Sequence, residues 1–225
     1  MRRAAFLATA LALLCCAPAS AGKAEAPLYY LPPAAVDLTV LLAPPPDPNS
    51  PLMRYDEKKM AQVLTERTPA DLARAAADEK RTVFVFTPIV GAAFTAAKVP
   101  LAAALFKHAS DDTERLIEAA KAYYDRPRPP GAPQTHGSYP SGHAAFAACT
   151  AILLSQMVPE KRDEIFQRAS IFAESRIVAG VHYPSDVEAG WISGTVIASA
   201  LLRQPKFQAD FAAAKAEVRK ALGLL

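Results

Sequence analysis

Cysteine is nearly absent. The 225 residues contain three, and Cys15 and Cys16 stand in an N-terminal stretch that reads as a removable leader. Only Cys149 would remain in a mature chain, which excludes an internal disulfide. It lies in the apolar run 144–154 and reads as a small buried hydrophobe, not a reactive thiol. Metal-ligand spacing is missing too: there is no His-x3-His, no Cys pair and no Asp-rich loop. No metal and no cofactor are therefore expected. An excess of one charge is also lacking. The net charge is +3, and loss of Arg2 and Arg3 with the leader leaves +1, which gives no basic surface for a nucleic acid polymer. The apolar runs 144–158 and 190–202 fall short of the ~20 residues that a membrane-spanning helix needs, so no stable membrane insertion is expected. Alternating strand patterns are absent apart from a short candidate at 82–86, and no internal repeat is present. Aromatics make up only 8% of the chain while hydrophobic residues make up 52%. With alanine abundant, that balance favours closely packed helices.

The sequence divides into three parts. Residues 1–21 have the layout of a secretory signal peptide: Met1-Arg2-Arg3, an apolar stretch from Ala4 to Cys16, and a small-x-small cleavage site at Ala19-Ser20-Ala21. A periplasmic or secreted location follows as an expectation. Residues 22–55 form a proline-rich arm, with Pro32-Pro33 and Pro44-Pro45-Pro46 excluding regular helix. Tyr29, Tyr30, Leu31, Leu41 and Leu42 are its expected contacts with the body. Residues 56–225 read as a helical domain. Helices are predicted over 56–66, from Thr68-Pro69 to about Lys80, from Thr87-Pro88 to Ala97, over 101–107, and from a capping-box pattern at Asp111 to about Tyr124. Residues 125–140 hold five prolines and two glycines and read as a loop. Further helices are predicted from Ser141 to about Met157, over 161–179 with Gly180 as the stop, from a Ser185 cap onward through a run rich in small residues, and from Gln204-Pro205 to the end. The fold class is all-α, with the polar motifs at helix ends.

Three of those motifs stand out: Lys121-x6-Arg128-Pro129, Pro140-Ser141-Gly142-His143, and Ser175-Arg176-x5-His182-x3-Asp186. Together they supply three cations, two imidazoles, a carboxylate and a Ser-Gly turn. Arg128 and Arg176 offer planar forks suited to phosphoryl oxygens, and Lys121 adds a compact charge. Ser141 and Gly142 fall where a loop enters a helix, a setting whose free N–H groups and dipole favour an anion. Asp186, four residues after His182, can fix the ring tautomer and leave the other nitrogen free to attack phosphorus. His143 is then the acid for the leaving oxygen and the base for water in a second step. Activity that peaks on the acid side is the corresponding expectation.

Each of these residues has a plainer reading when taken singly. Lys121 can be a solvated helix residue, Arg128 a loop anchor, His182 a cap. Their joint occurrence in order is what points to chemistry. Arg126 reads as a surface residue, with replacement of Arg128 as the alternative. His108 and His136 receive no role, substrate contact being the alternative for His136.

At these positions the chain resembles the type 2 phosphatidic acid phosphatase superfamily and, more narrowly, the bacterial class A non-specific acid phosphatases. The form Gly137-Ser138-Tyr139-Pro140-Ser141-Gly142-His143 is typical of that class. The resemblance implies a multi-helix bundle like that of type 2 phosphatidic acid phosphatases and vanadium haloperoxidases. It also implies small-molecule phosphomonoester substrates, a possible homodimer, His182 as nucleophile and His143 as acid. The sequence departs from the pattern in a shorter loop at 130–139, in Ala144 where threonine is common, and in Trp191 where arginine is common. His182-Tyr183-Pro184-Ser185-Asp186 also occurs in membrane lipid-phosphate phosphatases. A lipid-phosphate or pyrophosphate phosphatase acting at a membrane surface is therefore the alternative. A haloperoxidase and a non-catalytic phosphate-binding protein are less well supported readings.

Overall fold

The computed structural model describes residues 27–32 and 35–224. The leader at 1–21, with Cys15 and Cys16, and the start of the arm lie outside the described residues. Nine α-helices and no strand occur among those described, so the fold is all-α. No helix there is long and apolar enough to cross a membrane.

The centre is α6 (Gly142–Met157), with 13 of its 16 residues buried. That helix is apolar on every side, as a helix surrounded by others must be. It packs most extensively against α8 (Pro184–Leu201) and α7 (Arg162–Val178). The contact with α8 is close because α8 lacks side chains where the backbones meet. A Cβ on Gly190 would strike the Ser141 carbonyl and the Ala144 side chain, and one on Gly194 would strike the Ala145 carbonyl. The two glycines thus set the separation of α6 from α8, and with it the separation of the two histidine motifs. Phe86, Phe94, Phe172 and Phe207 are fully buried in the surrounding core, each worth roughly 1.5–3 kcal/mol of apolar transfer. Cys149 is buried as well, and burial pushes its thiol up to about 12.

The 25-residue α5 (Pro100–Tyr124) runs alongside, with α9 (Pro205–Ala221) across it. The first turn of α5 has no side-chain cap of its own. Glu217 on α9 fills that role, accepting from Leu101 N at 3.2 Å and Ala102 N at 3.0 Å. The continuity of α5 differs from the two helices expected at 101–107 and 111–124. Asp111 and Glu114 instead pair with Lys107 and Arg81, and the chain between them stays helical.

Other boundaries also differ. The helix α2 (Pro51–Glu66) begins inside the expected arm, because Ser50 caps Met53 N and Pro51 takes the first helical position. The arm itself contains one short turn of helix, α1 (Leu38–Leu41), capped by Asp37. The α3 helix (Pro69–Ala77) has the expected Thr68 cap, here a full capping box with Asp71. Residues 83–86 are a 3-10 turn instead of a strand, and α4 (Thr87–Val90) is cut short at Gly91, whose φ of 131° no helix can use. Tyr183, not Ser185, occupies the cap position of α8.

Of the expected arm contacts, Tyr30, Leu31 and Leu42 are buried, whereas Tyr29 and Leu41 are exposed. Asp112 on α5 fixes the arm through its backbone, accepting from Tyr29 N at 2.6 Å and Tyr30 N at 2.8 Å.

Candidate active site

The loop–helix junctions of α5, α6, α7 and α8 converge on one cavity of about 200 Å³. Lys121, Arg128, Gly142, His143, Arg176 and His182 line it, together with Arg81, Glu114, Glu118 and His136. Six of the eight residues singled out from sequence therefore face one space. Asp186 sits behind His182, and Ser141 lies beneath the start of α6.

Each cation is fixed by its own local structure. Lys121 lies in the last turn of α5 and is buried, with Nζ 2.8 Å from Glu118 Oε1. Asp125 then adopts the left-handed conformation (φ 43°) and turns the chain into the loop. Arg128 is held by two carbonyls: Nε donates to His136 O at 3.0 Å and Nη1 to Val181 O at 2.8 Å. Arg176 lies in the last turn of α7 and donates to Ala75 O and to Ser175 Oγ. Fixed donors of this kind lose little side-chain freedom on meeting an anion.

Gly180, at φ 76°, stops α7 and sends the chain back over itself, with Val181 N donating to Arg176 O at 3.0 Å. This turn delivers His182. Its Nδ1 lies 3.4 Å from Asp186 Oδ2, and its Nε2 lies 3.4 Å from Arg128 Nη1. A carboxylate only accepts and a guanidinium only donates, so Nδ1 carries the proton and Nε2 presents its lone pair beside Arg128. Burial holds the His182 ring below its ordinary pKa despite the pull of Asp186, with Arg128 and Lys121 acting in the same direction as burial. It is thus neutral at neutral pH.

Asp186 is fully buried, and both of its oxygens are engaged. Oδ2 accepts from Ser138 Oγ, from Tyr183 N at 2.8 Å and from His182; Oδ1 accepts from Arg126 Nη1 at 2.6 Å. Burial alone would raise this carboxyl, but His182, Arg126 and Ser138 together outweigh it and hold it below the usual range.

Arg126 corrects the sequence expectation. It is not on the surface: it is 6% exposed and lies beneath Asp186. Its guanidinium bridges Asp186 and Asp56, meets Ser185 Oγ at 2.7 Å, and stacks over the Tyr183 ring. Arg128 keeps the cavity position. Ser141 is also placed differently from expectation. Its hydroxyl caps α6 at Ala144 N and its own N–H donates to Asp186 O at 2.9 Å. The N–H groups ahead of the first helical bond, those of Gly142 and His143, are the ones at the cavity end of the helix.

His143 Nε2 lies 2.9 Å from the Glu79 carbonyl, and its ring stacks on Phe172. A carbonyl only accepts, so Nε2 carries the proton and Nδ1 is the nitrogen left to ionise. Burial first, then Arg176 and Arg81, push this ring down to about 3, with the Glu79 carbonyl opposing. In the cavity without a bound anion, His143 is neutral.

The sequence reading missed Arg81, Glu114, Glu118, Asp56 and Ser138. Glu114, Glu118 and Lys121 are four and three residues apart, a spacing that places them on one face of α5. That pattern was available as a signal. Asp56 and Arg81 come from distant elements and carry none. His136 lines the rim, 3.8 Å from Glu118 and largely exposed. His108 lies elsewhere, stacked on Tyr29. Among the described residues no cluster of three or more His, Cys, Asp or Glu is arranged to hold a metal ion.

The site segments from Lys121 to Asp186 lie within the stretch that known proteins match. A family model described as the PAP2 superfamily matches residues 98–210. The chain is 31% identical over 215 residues to a non-specific acid phosphatase of Salmonella typhimurium, covering 88% of this chain and 86% of that protein. It is 32% identical over 202 residues to an acid phosphatase of Zymomonas mobilis, covering 82% and 76%. A transmembrane PAP2 type phosphatidylglycerolphosphate phosphatase from Bacillus subtilis shares the fold, with a TM-score of 0.51 and 19% identity over 68% of this chain and 85% of that one.

Proposed function

The chain belongs to the PAP2 superfamily, and within it we propose an exported, metal-independent acid phosphatase that hydrolyses phosphomonoesters of broad structure through a phosphohistidine. One observation carries this reading: His182, with Nδ1 3.4 Å from Asp186 Oδ2, lines one cavity with His143, Lys121, Arg128 and Arg176.

The ester's phosphoryl oxygens are taken up by Lys121, Arg128, Arg176 and the first-turn N–H groups of α6. These charges stand where the transfer state spreads its own over three oxygens. His182 Nε2 attacks phosphorus. The N–P bond forms as the bond to the ester oxygen breaks, and the departing oxygen takes the proton from His143. Asp186 stabilises the positive ring during this step without taking its proton. Water then attacks the phosphohistidine, gives a proton to His143, and the N–P bond breaks to release inorganic phosphate.

Because His143 is neutral in the free cavity, the ring has to take up its proton when the ester binds. A bound phosphate beside the ring favours the imidazolium, which supports activity on the acid side. The basic start and apolar stretch of residues 1–21 support export.

The experiment is an assay of purified protein on p-nitrophenyl phosphate, sugar phosphates and a detergent-solubilised lipid phosphate, with and without EDTA. Turnover of the soluble esters that EDTA leaves intact is expected. Cleavage of the lipid phosphate alone would favour the membrane-surface alternative, and loss in EDTA would remove metal independence.

A further inference from the structure

Arg126 and Ser138 are the two ends of one loop, closed backbone to backbone: Ser138 N donates to Arg126 O at 2.8 Å. The closure sets both side chains against Asp186, and each takes a different oxygen. Arg126 Nη1 holds Oδ1, and the Ser138 hydroxyl donates to Oδ2, the oxygen that faces His182. Ser138 is fully buried, which shields that bond from solvent. Oδ2 therefore meets three donors: Ser138 Oγ, Tyr183 N at 2.8 Å and His182 Nδ1 at 3.4 Å, the longest of the three. Ser138 Oγ lies 3.4 Å from Nδ1 as well. Its one proton goes to Asp186, so it offers the ring only lone pairs.

A carboxylate oxygen that already accepts two hydrogen bonds is a weaker base toward a third donor. That matters after phosphoryl transfer, when the ring is positive, with phosphorus on Nε2 and the proton on Nδ1. Were the proton to pass to Asp186, the second step would have to expel an imidazolate, a far poorer leaving group than neutral imidazole. We propose that Ser138 sets the lifetime of the phosphohistidine: by donating to Oδ2 it keeps the proton on Nδ1 while the N–P bond breaks. As water attacks phosphorus, its proton goes to His143, the N–P electron pair returns to Nε2, and the ring leaves neutral. The inference rests on the phosphatase reading and adds to it a positioning residue. Ser138 is not among the residues that line the cavity, and it acts through Asp186.

The test compares the full chain with its Ser138→Ala and Ser138→Cys variants. Each is mixed rapidly with radiolabelled p-nitrophenyl phosphate, chased with unlabelled ester and quenched in alkali, which gives the decay rate of the phosphoenzyme. Ser138→Ala should slow that decay by about fivefold or more. Ser138→Cys keeps a weaker donor, and its decay should fall between the two. The value of kcat/KM reports formation of the phosphohistidine alone and should change less than the decay does. Decay in Ser138→Ala that is unchanged or faster overturns the proposal. A fall in kcat/KM as large as the fall in decay also overturns it, since that is the mark of a residue that holds only the shape of the site. A phosphoenzyme that never forms in the unmodified protein is a separate result, one that removes the covalent reading and this inference with it.

Discussion

Arg126 Nη1 lies 2.6 Å from Asp186 Oδ1, beneath the histidine that Asp186 orients, while Nη2 of the same guanidinium lies 2.9 Å from Asp56. One buried cation thus serves two buried carboxylates from different helices. It ties α2 to the start of α8 and fixes the carboxylate that fixes His182.

Removing Arg126 leaves two buried carboxylates without their partner. Breaking a buried pair in this way costs about 3–5 kcal/mol. Arg126→Ala should lose that much in denaturant unfolding, and Arg126→Lys should recover part of it. Adding Asp56→Asn to Arg126→Ala should cost much less than the sum of the two single changes. Additive losses would mean that the two side chains act independently.

Phosphate binding should take up a proton. The His143 ring is held down to about 3 in the free cavity, and a bound phosphate raises it. Between those two values binding draws one proton from solvent, so phosphate affinity falls as pH rises through the bound-state pKa. Titration calorimetry near pH 5 in buffers of different ionisation enthalpy should report this uptake, and His143→Gln should abolish it. A buffer dependence that does not differ between the unmodified protein and His143→Gln would exclude His143 as the group that charges.

Glu118 competes with substrate for Lys121, since its Oε1 lies 2.8 Å from Nζ inside the cavity. Glu118→Gln frees the ammonium and removes a negative charge near the bound anion. Inorganic phosphate should then inhibit at least threefold more tightly. Weaker inhibition would mean that Glu118 holds Lys121 in place for the anion.

The α6–α8 contact sets the histidine geometry through Gly194, where a Cβ would meet the Ala145 backbone. Gly194→Ala forces the helices apart and should cost about 1–3 kcal/mol, as overpacking does. Activity should fall further than stability accounts for, because His143 and His182 ride on the two separated elements. Unchanged unfolding and unchanged kcat would show that the helices shift without penalty.

Much of this site was legible in the sequence because its parts lie in short motifs. Local spacing places Asp186 behind His182 and Gly142 at the head of an apolar helix, and the structure brings these segments to one cavity. What spacing did not convey was partnership across the chain. Arg126 and Arg128 both precede prolines and look alike in the Arg-Pro-Arg-Pro run, yet one is buried against Asp56, seventy residues away, and the other faces the cavity. The Asp111-x-x-Glu114 pattern resembled a helix start because a capping box is a local signal, but tertiary packing carried α5 straight through it. Ser50-Pro51 was overlooked as a start because prolines before it read as a continuing arm, although it has the same form as Thr68-Pro69.

The central claim is the covalent role of His182. Its most direct test uses the His143→Ala variant with p-nitrophenyl phosphate, whose leaving group needs no acid while dephosphorylation still lacks its base. After an alkaline quench, peptide mass spectrometry should find phosphate on His182, and Asp186→Asn should reduce its amount. Phosphate on any other residue, or turnover of this substrate with no phosphorylated peptide at all, would contradict the account.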